Sequence, residues 1–154
     1  MTLLVMPILS QVGGPPSRVS GFDRPVTGAD AEYPGAMRIT VPDDCGNSPR
    51  NLLVSQLSVD WAAGNLDDVR AWLADDVRWE VLGDPGRDVE GALSLPRDVQ
   101  EVEVYTAINH GKAASCNGCL VTPTEQIDFC HVFRFSGVAK TARIVHIRTY
   151  LVRS

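Results

Sequence analysis

The sequence has few of the features that mark membrane or nucleic-acid-binding proteins. No apolar run approaches the roughly 20 residues needed to cross a bilayer, so an integral membrane protein is not expected. The 14 Lys and Arg residues are outnumbered by 19 Asp and Glu, which leaves a formal net charge of -5. Without a basic run the chain lacks the charge that follows a phosphate backbone. We therefore predict neither a membrane nor a nucleic-acid partner.

The sequence also lacks a convincing targeting signal. Residues 1–12 include a short apolar stretch, but it is interrupted by Pro7, has no basic residue before it and has no clear cleavage site. We therefore expect a cytoplasmic protein. Met37, which is followed by a strand-like stretch, is a second candidate for the natural start of the chain.

Cysteine is too scarce for a disulfide scaffold, since the chain has only four. Cys116 and Cys119 form a CxxC that could bind zinc with Cys130 and a histidine, but a second ligand pair is missing. A redox CxxC normally opens a helix, whereas this one lies in a strand-like stretch. We expect reduced thiols and neither a metal nor a cofactor.

The length and composition fit one domain with a substantial core, because the chain has 154 residues of which 44% are hydrophobic. Residues 11–42 are rich in Gly, Pro, Ser and Asp without a sustained hydrophobic period. We therefore predict an extended or disordered lead-in over residues 1–42, followed by one domain over residues 43–154.

Two helices are predicted at the start of this domain. Ser48 and Pro49 form an N-terminal helix signal, and apolar residues recur at helical spacing until Gly64. A second helix begins after Asn65, which can cap it. Its predicted apolar stripe consists of Leu66, Val69, Trp72 and Leu73.

The remainder is predicted to be mainly β-structure. Val77, Trp79 and Val81 alternate with polar residues, as in a half-buried strand. A short helix is expected within residues 91–100, and further strands over residues 102–109, 113–121, 126–135 and 142–152. Short connections between these strands indicate an antiparallel sheet. Helices followed by such a sheet predict an α+β domain.

Several stretches carry a resemblance to the nuclear transport factor 2-like superfamily. They are Gly-Asn-Leu-Asp-Asp-Val at 64–69, Leu-Ala-Asp-Asp-Val at 73–77, Phe-Arg-Phe at 133–135 and the closing strand over 143–151. The chain resembles SnoaL-like and ketosteroid isomerase-like members, in particular an uncharacterised bacterial branch. The resemblance implies a cone-shaped, curved antiparallel sheet wrapped around N-terminal helices, an apolar interior for a small molecule, and homodimers formed through the sheet face.

The ketosteroid isomerase pattern itself is mostly missing. The resemblance aligns that family's tyrosine donor with Leu57 and its aspartate base with Val81, and neither side chain can move a proton. The third position, an aspartic acid that supports the oxyanion, aligns with His131. In SnoaL-like cyclases the same position resembles that of the acid/base aspartate, so His131 is the candidate catalytic residue.

Strand alternation predicts that Phe129, His131 and Phe133 share the face that lines the interior. Burial among apolar neighbours would lower the pKa of such a histidine and favour its neutral form. The alternative is a core histidine whose hydrogen bonds are satisfied by a carbonyl or a water. The predicted ligand pocket consists of Leu57, Trp61, Trp79, Val81, Phe129, Phe133, Ile147 and Thr149.

The last strand is predicted to turn alternate side chains to the inner face, namely Val145, Ile147, Thr149 and Leu151. His146, Arg148 and Tyr150 are predicted to face outward. An outer face with arginine and aromatic residues is typical of protein interfaces and agrees with a homodimer.

Two functions remain open. The first is a small-molecule isomerase, cyclase or dehydratase in which His131 acts as acid and base on an apolar or aromatic substrate. The second is a ligand-binding or dimeric structural module without catalysis. A second polar group beside His131 would favour the first, and Thr149, Asn117, Asp60 and Tyr105 are the candidates.

Overall fold

A computed structural model describes residues 37–43, 48–83 and 88–154. Along the chain the elements are β1 (Arg38–Thr40), α1 (Pro49–Ala63), α2 (Leu66–Arg70), β2 (Leu73–Leu82), α3 (Val89–Leu93), β3 (Glu101–His110), β4 (Ala113–Val121), β5 (Gln126–Phe135) and β6 (Ile144–Arg153). Helices that precede a run of strands confirm the predicted α+β class.

The strands of the described residues all belong to one six-stranded sheet with the order β1-β3-β4-β5-β6-β2. The four strands β3 to β6 are antiparallel neighbours, as predicted from their short connections. The two edge strands differ from that prediction, because β2 pairs with β6 and β1 pairs with β3 in parallel. Strand β1 lies within the predicted lead-in, so the structure places Arg38–Thr40 in the domain, while residues 1–36 lie outside the described residues.

Helix α1 covers the inner face of the sheet and contacts β3 and β4. It ends where predicted, at Gly64, whose φ of 77° suits a residue without a side chain and whose N–H bonds to the last turn. At the other end Ser48 makes no capping bond with its side chain, although the sequence predicts one. Its hydroxyl instead accepts a hydrogen bond from Asn109 Nδ2 at 2.7 Å, which ties the start of α1 to β3.

Helix α2 is shorter than the predicted apolar stripe. It ends at Arg70, and Leu73 is the first residue of β2, so the prediction was wrong for Trp72 and Leu73. The reason is tertiary. The Trp72 carbonyl accepts a hydrogen bond from Ile144 N at 2.8 Å, and Leu73 pairs with Ile144, so β6 holds this segment in the sheet.

Strand β6 begins with an irregularity that alternation could not predict. The register of β5 and β6 shifts between Arg134 and Phe135. As a result Ile144 is fully buried while Val145 is only partly so, and the prediction that Val145 faces inward was wrong. Beyond the shift, Ile147 and Thr149 are buried as predicted.

A second irregularity lies in the pairing of β3 with β4, where the register shifts between Val104 and Thr106. Opposite it, Gly118 has no room for a side chain: a Cβ there would lie 2.0 Å from the Glu103 carbonyl oxygen and 2.9 Å from the Phe129 ring. Bulges bend a strand and increase its twist, which suits a curved sheet.

The core fills the space between the helices and the inner face of the sheet. Its largest members include Leu57, Trp61, Leu93, Phe129, Phe133, Phe135, Ile144 and Ile147. In the described part of the chain no helix has the length and apolar character needed to cross a membrane.

Candidate functional site

His131 lies in the middle of β5 with only 2% of its surface exposed. Alternation along β5 turns it inward together with Phe129 and Phe133, as predicted. Its imidazole is enclosed by aromatic rings whose centroids lie 4.5 Å (Trp61), 5.1 Å (Phe129), 5.7 Å (Phe133) and 6.4 Å (Trp79) away. The nearest of these, Trp61, meets the imidazole nearly at a right angle, at 84°.

One nitrogen of His131 belongs to a buried hydrogen-bond chain. Thr149 lies directly opposite His131 in the β5–β6 ladder, and its Oγ1 lies 2.8 Å from His131 Nδ1. The same Oγ1 accepts a hydrogen bond from Trp79 Nε1 at 2.9 Å. Thr149 is therefore the second polar group that the sequence left open, and it is a hydroxyl rather than an ionisable group.

The other nitrogen, His131 Nε2, has no hydrogen-bond partner in the described part of the chain. Among the residues that the structure describes, it is the one buried side-chain nitrogen or oxygen without a hydrogen bond. An unpaired buried polar group costs about 1–3 kcal/mol of stability. Such an atom therefore needs an explanation, and the space around it offers one.

His131 lines a cavity of about 10 Å³ between the sheet and the helices. The remaining lining residues are Leu57, Trp61, Val69, Trp79, Phe133, Ile144 and Ile147. The two tryptophan N–H groups are already engaged, by the Ala92 carbonyl and by Thr149. A buried water needs roughly 10–15 Å³ and two to four polar partners, and here it would find little more than Nε2. Water is thus a poor occupant.

Burial lowers the pKa of His131 to about 3, so the imidazole is neutral at physiological pH. The described residues that line the cavity include no Asp, Glu, Lys or Arg. General acid–base catalysis works best when the pKa of the group lies near the operating pH. The environment of His131 therefore suits a hydrogen-bonding group better than a proton shuttle.

The structure brings most of the predicted pocket residues together. Leu57, Trp61, Trp79, Phe133 and Ile147 line the cavity with His131, and Phe129 and Thr149 contact the imidazole. Val81 is also buried but does not line the cavity; it pairs with Thr149 in the β2–β6 ladder. Sequence reasoning missed Val69 and Ile144 as lining residues. Helical spacing in α2 could have indicated Val69, whereas the shift at the start of β6 hides Ile144.

The other candidate partners of His131 lie elsewhere. The Asp60 carboxylate accepts hydrogen bonds from Gln56 Nε2 at 3.1 Å and Asn65 Nδ2 at 3.2 Å, at the end of α1. Asn117 and Tyr105 lie on the outer face of the sheet, where Tyr105 is 44% exposed.

The described cysteines, Cys116, Cys119 and Cys130, are free thiols, and Cys45 lies outside the described residues. Cys116 pairs with His131 on the inner face, and the alternation of β4 turns Cys119 to the outer face, so the CxxC does not converge on one point. Within the described ranges no three His, Cys, Asp or Glu side chains are placed to hold a metal ion.

The outer face of the sheet carries exposed apolar side chains on neighbouring strands. Ile108, Ser115, Val132 and Arg148 form one continuous row across β3, β4, β5 and β6. Tyr150 lies beside Cys130 in the next row. The exposed fractions are 60% for Ile108, 38% for Val132 and 38% for Tyr150.

An ion cluster borders this row on β2 and β6. Glu80 forms an ion pair with Arg148 Nε at 3.0 Å, contacts His146 Nε2 at 3.2 Å and is paired with Arg78. Although partial burial acts to raise the pKa of Glu80, the His146 hydrogen bond and the two arginines outweigh it and hold the pKa below its usual value. Arg148 also lies 5.7 Å from the Tyr150 ring.

A larger groove of about 460 Å³ runs along the far end of the sheet, by the β4–β5 turn and the loop after α3. Its polar side chains are largely used within the protein. The Thr122 hydroxyl caps the β4–β5 turn, Ser94 donates to the Glu90 carbonyl, and Arg153 pairs with Glu125. This groove therefore resembles a solvated surface more than a site.

Among the comparisons with known proteins, the one with solved structures supports the fold. No protein-family model matches the sequence, and no protein with a curated description matches it. Several solved structures do match. A nuclear transport factor 2-like protein of unknown function from Burkholderia xenovorans is 15% identical, with a TM-score of 0.51 over 68% of this chain and 86% of its own.

Two further structures carry provisional enzyme names. One is named a ketosteroid isomerase, from Kribbella flavida, and is 17% identical with a TM-score of 0.52 over 69% of this chain and 78% of its own. The other, AclR from Streptomyces galilaeus, is named a hydroxylase and is 16% identical with a TM-score of 0.51 over 67% of this chain and 88% of its own. At such identities the likeness establishes the fold and not a reaction.

Proposed function

We propose that this domain, which has the nuclear transport factor 2-like fold, is a binding module that holds a small, largely apolar molecule in its interior beside His131. The observation that carries the proposal is the unpartnered His131 Nε2 in an otherwise apolar cavity. Ligand sites in proteins typically combine apolar walls with a few well-placed polar groups. A ligand that pairs with Nε2 would remove the cost of leaving this atom unpaired.

The size of the cavity limits how a ligand enters. Pockets for drug-sized molecules measure about 300–1,000 Å³, far above the roughly 10 Å³ beside His131. A ligand must therefore be admitted by a minor conformation in which lining side chains move apart, as in a cryptic pocket. An engineered apolar cavity of about 150 Å³ holds benzene, so molecules with one or two rings are the appropriate scale.

A proton-transfer enzyme receives less support from the same geometry. His131 is neutral with a pKa of about 3, and its partner Thr149 is a hydroxyl. The positions that the resemblance aligns with the isomerase donor and base are Leu57 and Val81, which are both buried and apolar. An interior with one neutral imidazole suits binding better than catalysis.

The binding function can be tested by enlarging the cavity. Leu57→Ala removes side-chain volume from the cavity wall, so we expect indane-sized ligands to raise the melting temperature of this variant more than that of the wild type. Leu52→Ala on the same helix is the matched control, because Leu52 is 45% exposed. A ligand at a hundred times its dissociation constant adds about 2.7 kcal/mol. If a panel of one- and two-ring compounds stabilises neither the wild type nor Leu57→Ala, the proposal fails.

A second function, assembly as a homodimer, is favoured by the outer face. Ile108, Val132 and Tyr150 are exposed together with Arg148, and exposed apolar patches with aromatic and arginine residues are typical of protein interfaces. A two-fold axis through this row would bury it against its own copy. Sedimentation equilibrium would test this, and a monomer at tens of micromolar would contradict it.

A further inference from the structure

The direction of the hydrogen bonds beside His131 can be worked out from the chemistry of the partners. Trp79 Nε1 can only donate, so Thr149 Oγ1 accepts from it. The hydroxyl of Thr149 still has one proton to donate. In the described part of the chain the acceptor in contact with it is His131 Nδ1, at 2.8 Å. If the Thr149 hydroxyl donates this proton to Nδ1, then Nδ1 is an acceptor and the imidazole proton lies on Nε2.

The opposite arrangement satisfies fewer groups. If Nδ1 carried the proton and donated to Thr149, the Thr149 hydroxyl proton would have no acceptor and the Nε2 lone pair would have no donor. The first arrangement leaves a single unmet group, the Nε2–H. Because buried polar groups strongly favour pairing, the arrangement with one unmet group is preferred.

We infer that Thr149 fixes His131 in the Nε2–H form, so that the cavity presents one N–H donor and selects neutral apolar molecules that carry a hydrogen-bond acceptor, such as a ketone oxygen. This selectivity rests on the proposed binding function. A neutral acceptor is required because an ionised carboxylate would be expensive to bury among apolar walls. In the Nε2–H form this buried nitrogen has no free lone pair, so it does not abstract protons from the ligand.

The tautomer is measurable in the ligand-free protein. Side-chain ¹⁵N NMR distinguishes Nε2–H from Nδ1–H, and we expect the Nε2–H form for His131 at pH 7. Thr149→Ser keeps the hydroxyl and should keep this form, whereas in Thr149→Val the Nδ1 resonance should shift because its donor is gone. A wild type in the Nδ1–H form overturns the inference whatever the protein binds.

Ligand selectivity needs a pair of probes that differ in the acceptor alone, and 1-indanone with indane is such a pair. We expect 1-indanone to bind about three- to tenfold more tightly by calorimetry, the value of one net hydrogen bond. The preference should disappear in His131→Phe, which keeps a flat ring without the donor.

Equal affinity of the wild type for the two probes overturns the inferred selectivity while leaving the binding function intact. Binding of neither probe, in the wild type or in Leu57→Ala, overturns the binding function itself and the selectivity with it.

Discussion

Strands β5 and β6 present two contrasting surfaces made from alternate residues of the same chain. On the inner side, His131 and Thr149 are 2% and 1% exposed. On the outer side, Val132 and Tyr150, the next residues along each strand, are both 38% exposed. The inner surface is closed and neutral, and its hydrogen-bond chain leaves His131 Nε2 unpaired among the described residues, whereas the outer surface is open and bordered by the Glu80 ion cluster.

This contrast separates the two proposed functions physically. A ligand beside His131 acts on the buried face, and a second copy of the chain acts on the exposed face, so substitutions at alternate positions should affect one function without the other. The inner face tolerates little change because interiors are close-packed, whereas exposed positions usually alter stability by less than about 0.5 kcal/mol.

The largest expected effect is on the inner face, at Gly118. In Gly118→Ala the new Cβ would meet the Glu103 carbonyl oxygen at 2.0 Å, which forces β3 and β4 apart. We expect a loss of about 4 kcal/mol or more in the free energy of unfolding, at the upper end for single substitutions. Urea denaturation measures it.

Gly137→Ala is the control for this experiment. A Cβ at Gly137 would find its nearest neighbour, Ala142 Cβ, at an ordinary 3.9 Å. If both alanine variants unfold at the same urea concentration as the wild type, the close approach of β3 and β4 at Gly118 is not as described.

The second effect concerns the hydrogen-bond chain. Thr149→Val leaves Trp79 Nε1 without its acceptor and His131 Nδ1 without its donor. Because each unpaired buried group costs about 1–3 kcal/mol, we expect a loss of about 3 kcal/mol. Thr149→Ser, which keeps the hydroxyl, should lose clearly less. If Thr149→Ser instead loses more stability than Thr149→Val, which keeps the methyl group, then the methyl group of Thr149 and not its hydroxyl carries the stability.

The sequence could predict the inner face of β5 because regular alternation holds there. His131, Phe129 and Phe133 are buried as expected, and Leu57 and Trp61 reach the same cavity from α1 through helical spacing.

Prediction from the sequence failed where the sheet is irregular or parallel. The early start of β2 at Leu73 and the burial of Ile144 in place of Val145 both depend on pairing with strands distant in sequence. The Thr149–His131 bond was one of four open alternatives, since register across strands is not encoded locally.

A smaller effect is expected from pH. Burial depresses the pKa of His131 to about 3 in the folded protein, against about 6.5 when unfolded. Below pH 6.5 the unfolded state therefore binds a proton that the native state does not, and stability falls as the pH falls through this window. From pH 7 to pH 5 this one group should cost about 2 kcal/mol.

The comparison that isolates His131 is the same pH series on His131→Phe. Glu80, whose pKa is lowered in the folded state, destabilises the protein in the same direction on acidification, but it does so in both proteins. The difference between the two curves should therefore grow by about 2 kcal/mol between pH 7 and pH 5. Parallel curves would indicate that His131 is solvated enough to accept a proton in the folded state.

The smallest effect on stability, and the largest on assembly, is expected from the outer face. Val132→Glu places a carboxylate in the middle of the exposed row, where solvent accommodates it in the monomer, so unfolding should change by less than about 0.5 kcal/mol. In a two-fold dimer centred on this row the carboxylate would be buried next to its own copy, and such like-charge contacts cost several kcal/mol.

Val138→Glu is the control, because Val138 is 72% exposed in the β5–β6 connection, away from this row. Sedimentation should therefore give a monomer for Val132→Glu and a dimer for the wild type and Val138→Glu. A Val132→Glu dimer would place the interface elsewhere and leave the apolar outer face without a role.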